Sequence, residues 1–222
     1  MNRTSIFAAE FLGSLLLLAI VVGSGIMGQR LAAGNDAVAL LANAIATAGG
    51  LYVLIVLLGP ISGAHFNPAV TLALRWHQGR LAMPWPWYVI AQVAGAVLGV
   101  WLAHAMFELP LWQPGTRMRT GAAQGLSEGV ATFGLLLTIL LGARHRPAAL
   151  PALVACWILA AYWFTASTSF ANPAVTLARG FTRTFAGIQL GDVPGFVVAQ
   201  LAGAALAVAV YRYVLDREPA TA

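Results

Sequence analysis

The sequence predicts an all-α membrane protein: six transmembrane helices plus two half-helices, arranged as an inverted 3+1/3+1 repeat. Three observations carry this. First, 60% of the 222 residues are hydrophobic and only 9% are charged, whereas a soluble domain carries about 25% charged residues. So apolar a chain has too little polar surface to cover a soluble core, and the same composition excludes disorder. Second, the charges leave long empty windows. Third, one heptapeptide occurs twice.

The windows 11–29, 37–74, 81–107, 129–143, 147–178 and 193–211 contain no charged residue. A spanning helix needs about 20 apolar residues, so two of these windows are too long for one helix each. The first is interrupted at Gly59-Pro60 and by the run Ser62 to Pro68, the second by the polar run Thr165 to Pro173. Proline inside a helix costs about 3 kcal/mol. The spans are therefore expected at about 5–27, 37–58, 86–107, 124–143, 150–166 and 194–214, with half-helices starting at Asn67 and Asn172. Arg3 and the apolar run after it have the outline of a signal peptide. Against that reading, Glu10 lies inside the run, and the segment has a counterpart later in the chain.

The counterpart belongs to an internal repeat. Asn67-Pro68-Ala69-Val70-Thr71-Leu72-Ala73 recurs letter for letter at Asn172-Pro173-Ala174-Val175-Thr176-Leu177-Ala178. Ala91 to Ala96 pairs with Ala199 to Ala204, and Glu10 with Glu128. Repeat 1 covers about 5–107, repeat 2 about 124–214, and 108–123 connects them within a single transmembrane domain. Three spans per repeat is odd, so the second copy crosses the membrane in the opposite sense.

The twelve basic residues are all arginine. With both termini cytoplasmic, Arg3, Arg75, Arg80, Arg144, Arg146, Arg212 and Arg217 lie inside, and Arg30, Arg117, Arg119, Arg179 and Arg183 outside. This is a small positive-inside bias. Trp76, Trp85, Trp87 and Trp112 sit near span ends, as interfacial anchors do. The arginines form no stripe of the kind that binds nucleic acid.

Asparagine is a good N-cap and proline suits the first helical turn, so each repeated motif opens a helix. Two such starts inside apolar windows imply a cavity, because non-helical backbone at membrane depth is tolerated only where it is buried or lines water. Each helix N-terminus carries about half a positive charge, so two aimed at one point repel cations. The Asn67 and Asn172 amides can donate to a neutral solute. Together these features describe a channel for small uncharged molecules.

The paired Asn-Pro-Ala boxes, the six spans and the repeat resemble the aquaporin, or major intrinsic protein, family over essentially the whole chain. The resemblance implies the aquaporin fold, no enzymatic activity, no cofactor and a homotetramer in which each subunit, surrounded by lipid, holds its own pore. It also implies that Glu10 and Glu128 sit buried behind the half-helix loops and accept their backbone N–H groups. A span-end carboxylate reaching the interface is the alternative.

The resemblance further implies a selectivity filter. Most members carry arginine directly after the second box, where this chain has Val175. Counting back 20 residues from Asn67 gives Thr47, and 12 from Asn172 gives Ala160. The fourth position is Ser169, or Thr168 if the loop is one residue longer. All are small or aliphatic and uncharged, so the filter is expected to be wide, with cation exclusion left mainly to the half-helix dipoles. Threonine and valine at these positions resemble the bacterial aquaglyceroporins found with arsenic-resistance genes. That implies passage of arsenous acid and organic arsenicals beside glycerol and water, through the cell's inner membrane.

Arg179 lies one turn beyond Val175, either lining the outer vestibule or serving its own helix C-terminus and lipid headgroups. For His65 the resemblance implies a place lining the cytoplasmic side of the pore, where protonation could gate it; a satisfied buried histidine is the alternative. His145 reads as loop charge and Cys156 as a small hydrophobe. Gly13, Gly95, Gly99 and Gly203 suit close helix contact. A single cysteine offers no multi-cysteine metal site. A water-selective channel, a secondary transporter and a closed structural tetramer are the competing readings.

Overall fold

The structure, a computed structural model, describes residues 2–215. Arg217, counted above in the charge bias, lies outside the described residues. Eight α-helices occur among those described: α1 (Arg3–Leu31), α2 (Asp36–Ser62), α3 (Pro68–Gln78), α4 (Trp85–Met106), α5 (Ala122–His145), α6 (Leu150–Phe164), α7 (Pro173–Arg179) and α8 (Val193–Val210). Six helical segments are long and apolar enough to cross a membrane. The helices α3 and α7 are the half-helices, capped by Asn67 and Asn172 with proline in the first turn.

Consecutive spans alternate in direction, so the start of α1 and the end of α8 share one face, here the terminal face. The opposite, distal face holds the α4–α5 connection.

Packing follows the repeat. The helix α1 packs chiefly on α4 and α2, and α5 on α8 and α6. Glycine permits the closest approaches. A Cβ at Gly95 would run into the Phe11 carbonyl oxygen, one at Gly99 into that of Leu15, and one at Gly203 into that of Gly129. Between apolar helices in lipid, such backbone contact supplies the dispersion attraction that holds them together. Gly13 serves differently: a Cβ there would overlap the Phe66 ring, so it makes room for the loop before α3.

One boundary differs from expectation. The helix α2 continues through Pro60 to Ser62 and ends at Gly63, which is left-handed at φ 91°. Proline removes one helical hydrogen bond but does not compel a stop, and glycine adopts the left-handed terminating conformation without steric cost.

The connection 107–121 is fixed to the segment after α7. Gly115 N–H donates to the Gly180 carbonyl and Gln189 N–H to the Arg117 carbonyl, both at 2.8 Å. His104, fully buried on α4, contacts Leu111 O at 2.9 Å and Thr182 Oγ1 at 2.8 Å. These bonds hold the connection over the distal mouth.

Candidate functional site

The two half-helices meet through their caps. Asn67 Oδ1 accepts from Ala69 N–H, and Asn172 Oδ1 accepts from Ala174 and Val175 N–H. Each amide nitrogen then crosses to the other repeat. Asn67 Nδ2 donates to Ala171 O at 2.7 Å, and Asn172 Nδ2 to Phe66 O at 2.8 Å. An amide has two donor hydrogens, so one hydrogen on each asparagine remains for a solute.

Behind each loop sits a fully buried glutamate. Glu10 accepts from Ser62 Oγ, His65 N–H, Phe66 N–H and Gln92 Nε2 at 2.6–3.0 Å. Glu128 accepts from Phe170 N–H, Ala171 N–H and Gln200 Nε2 at 2.6–2.8 Å. Gln92 and Gln200 also donate to Thr71 and Thr176 of the repeated heptapeptide. A buried carboxylate is costly unless it is hydrogen-bonded, and these bonds repay that cost. The two loops place Ala64, Phe66, Thr168, Ser169 and Ala171 at φ 48–61°, a region that disfavours side-chain-bearing residues by about 1–2 kcal/mol each, and the glutamates bond Phe66 and Ala171 directly.

A cavity of about 110 Å³ runs past this junction. Its walls follow the helical period: Leu17 and Val21 of α1, Thr47, Leu51 and Ile55 of α2, Leu135 and Ile139 of α5, and Leu150, Val154, Ile158 and Tyr162 of α6. Gly63 to Asn67, Ser169 to Asn172, Val70, Leu74, Val175 and Arg179 complete it. Among the described residues, no hydrogen bond from the protein reaches the carbonyl oxygens of Gly63, Ala64, His65, Ser169 or Phe170. The lining is thus mainly apolar, and among the polar groups it includes are the two asparagine amides and loop residues whose carbonyls take no hydrogen bond from the protein.

The candidate filter positions are brought together with one exception. Thr47, Ser169 and Val175 line the cavity, and Thr168 lines a second cavity toward the distal face. Ala160 does not line it. Ala160 is exposed on the outer side of α6, and Tyr162 stands at the lumen with its hydroxyl 3.4 Å from Thr47 Oγ1. Two residues along a helix is a rotation of about 200°, so a two-residue slip in counting moves the side chain to the opposite face. At the lumen, α6 therefore presents the Tyr162 ring and not Ala160. The period 150, 154, 158, 162 was the signal available in the sequence.

Arg179 is 2% exposed and lines the cavity. Its Nε donates to Ala186 O, and its guanidinium lies 3.3 Å from the Phe170 ring centre. Sequence reasoning missed Arg119, which is 8% exposed. Arg119 donates from Nε to Gly187 O at 3.1 Å and from Nη1 to Ser167 O at 2.8 Å. Its guanidinium lies 4.9 Å from the same Phe170 ring. Arg117, Arg119 and Arg179 all line the second cavity. Burial, then the like charges of Arg179 and Arg117, lower the Arg119 guanidinium to about 9, which still leaves it charged at neutral pH. No motif flags Arg119, because only the docked 107–121 connection carries it to the mouth.

His65 lines the cavity, stacks on Tyr88 at 4.8 Å, and places Nδ1 3.0 Å from Thr71 Oγ1. His145 and Cys156 are exposed away from the lumen.

Comparison with known proteins decides the family. Residues 2–164 match the family described as Major intrinsic protein. The chain belongs to the major intrinsic protein family. Over 209 residues it is 60% identical to the aquaglyceroporin AqpS of Rhizobium meliloti, covering 94% of this chain and 89% of that one. It is 31% identical over 220 residues to a probable aquaporin of Oryza sativa, TIP2-2, covering 94% and 86%. The X-ray structure of the aquaglyceroporin from Plasmodium falciparum superposes with a TM-score of 0.78 at 20% identity, covering 97% and 98%. As a member of the major intrinsic protein family, the chain is a multi-pass membrane channel for small neutral solutes and not an enzyme.

Proposed function

We propose that this channel has a wide filter and carries glycerol-type polyols, water, arsenous acid and organic arsenicals. The observation that carries the reading is Val175: the residue directly after the second Asn-Pro-Ala box lines the lumen with an aliphatic side chain, where the family resemblance implies arginine. The name of the Rhizobium meliloti relative, an aquaglyceroporin, supports polyol transport. Thr47, Tyr162, Ser169 and Val175 form the filter. A solute slides against the apolar walls of α1, α2, α5 and α6. It exchanges water for the free loop carbonyls and the spare N–H groups of Asn67 and Asn172. The half-helix N-termini oppose cations at the same depth.

The terminal face is cytoplasmic, and the channel is a homotetramer in the inner membrane, with repeats 5–107 and 124–214 joined by 108–123 as one channel unit. His65 lines the cytoplasmic half as a structural lumen residue. Ion-coupled transport lacks its usual instrument here, since Glu10 and Glu128 are committed to loop donors. The test is swelling of proteoliposomes in water, glycerol and arsenous acid gradients, for wild type and Val175→Arg. Polyol and arsenous acid flux well above that of empty vesicles supports the reading. Water flux alone rejects it, and flux that requires a proton or sodium gradient replaces it with a transporter.

A further inference from the structure

Replacing the usual arginine by Val175 ought to leave the distal end of the pore without a fixed cation. Two buried guanidinium groups stand there nonetheless. Arg179 sits at the junction of the main cavity with the second, distal one, lining both. Arg119 lines the distal cavity beside it. Both rest on the Phe170 ring, and Phe170 belongs to the loop that carries the filter residue Ser169. Both are restrained by neighbouring backbone carbonyls after α7, Arg179 by Ala186 and Arg119 by Gly187, and Arg119 also by Ser167. Asp36 lines the distal cavity too, yet among the described residues no ion pair joins it to Arg117, Arg119 or Arg179. The lining of the distal cavity therefore holds three positive groups against one negative, and a second carboxylate, Asp192, stands behind it, accepting from the Arg119 backbone N–H at 2.7 Å.

We infer that the cation barrier of this channel has moved from position 175 to the pair Arg119 and Arg179, with Arg119 supplied by the connection between the repeats. The inference rests on the channel reading and adds the residues that set its charge selectivity. Position 175 is then free of a side chain that narrows the lumen, while the field that repels cations is kept by guanidinium groups held aside on Phe170 and the loop carbonyls. Width and charge exclusion, which one filter arginine would couple, are separated onto different residues. Fixed charge at a narrow, low-dielectric mouth acts on every ion that passes, so the two contributions combine.

The test compares wild type, Arg119→Gln, Arg179→Gln and the double variant in liposomes. Glycerol swelling and dye-reported proton and sodium entry are measured on the same vesicles, and the readout is the ratio of cation to glycerol flux. Each single substitution should raise that ratio about tenfold, or about 1.4 kcal/mol, and the pair more than either alone. Arg119→Lys should return it close to the wild-type value, because the charge is kept. A double variant that conducts glycerol with a ratio within about twofold of wild type overturns the inference. So does an Arg119→Lys variant as leaky as Arg119→Gln, since that makes the residue a structural peg. If the double variant conducts no glycerol, the single variants decide by the same ratio. Wild type without glycerol flux rejects the polyol reading of the filter and is thereby distinguished from failure of the charge inference.

Discussion

The Asn67 amide nitrogen donates to the Ala171 carbonyl oxygen at 2.7 Å, joining the cap of one half-helix to the loop before the other. Asn172 returns the bond to Phe66. The two repeats are thus cross-tied at the depth where a solute must pass. One side-chain amide both caps its own helix and fixes its opposite number. Asn67→Ala should lose a cap and a cross-tie together, costing about 2 kcal/mol. The midpoint of thermal unfolding in detergent should fall by several degrees, and Asn172→Ala should behave alike. An unchanged midpoint for both would show that the ties carry no stability.

Glu10→Ala should damage folding more than selectivity. It strips the acceptor from three buried donors and one part-buried one, and each unsatisfied buried group costs about 1–3 kcal/mol. The yield of monodisperse protein should collapse, with Glu128→Ala close behind. Recovery at wild-type yield, read by size-exclusion chromatography, would contradict the role given to the carboxylates.

Val175→Arg should place a long cationic side chain into the lumen. Glycerol and arsenous acid swelling rates should drop by about tenfold or more, equivalent to about 1.4 kcal/mol of added barrier, while water flux falls less. Equal loss for all three solutes would point to misfolding or full occlusion, and no loss for the large ones would refute the width argument.

Tyr162 and Ala160 make a matched pair. Tyr162→Ala should raise the ratio of polyol to water flux several-fold, because it removes the aromatic ring beside Thr47. Ala160→Leu, on the exposed side of the same helix, should leave that ratio where it was. The reverse pattern in swelling assays would restore the filter position that simple counting suggests.

Gly95→Val should separate α1 from α4, because even a Cβ would meet the Phe11 carbonyl. Overpacking of this kind costs about 1–3 kcal/mol. A lowered unfolding midpoint with the cation-to-glycerol flux ratio unaltered in the surviving protein is the expected result.

The span limits, the half-helix starts and the paired glutamates were legible because each rests on a local pattern: charge-free length, Asn-Pro caps and a repeated heptapeptide. Val175 and Ser169, each three residues from the Asn172 cap, could be placed by counting, since so short a stretch leaves little freedom, whereas Thr47, 20 residues before Asn67, stands at the lumen because the fold carries it there. Ala160 could not. The loop between α6 and Asn172 winds through left-handed residues, so a residue count no longer tracks rotation around the helix. Pro60 misled in a smaller way, because a proline near a helix end is tolerated when glycine supplies the stop two residues later.

The sequence by itself determined a six-span, twice-repeated channel frame with a polar junction at its centre, because apolar length, capping and periodicity act over neighbouring residues. Only the tertiary structure decided which side of α6 faces the lumen and what charge stands at the distal mouth. Arg119 and Arg179 are 60 residues apart in the chain. They share the Phe170 ring only because backbone hydrogen bonds fasten the 107–121 connection to the segment after α7. Long-range docking of that kind depends on contacts between distant segments, and no local pattern encodes it.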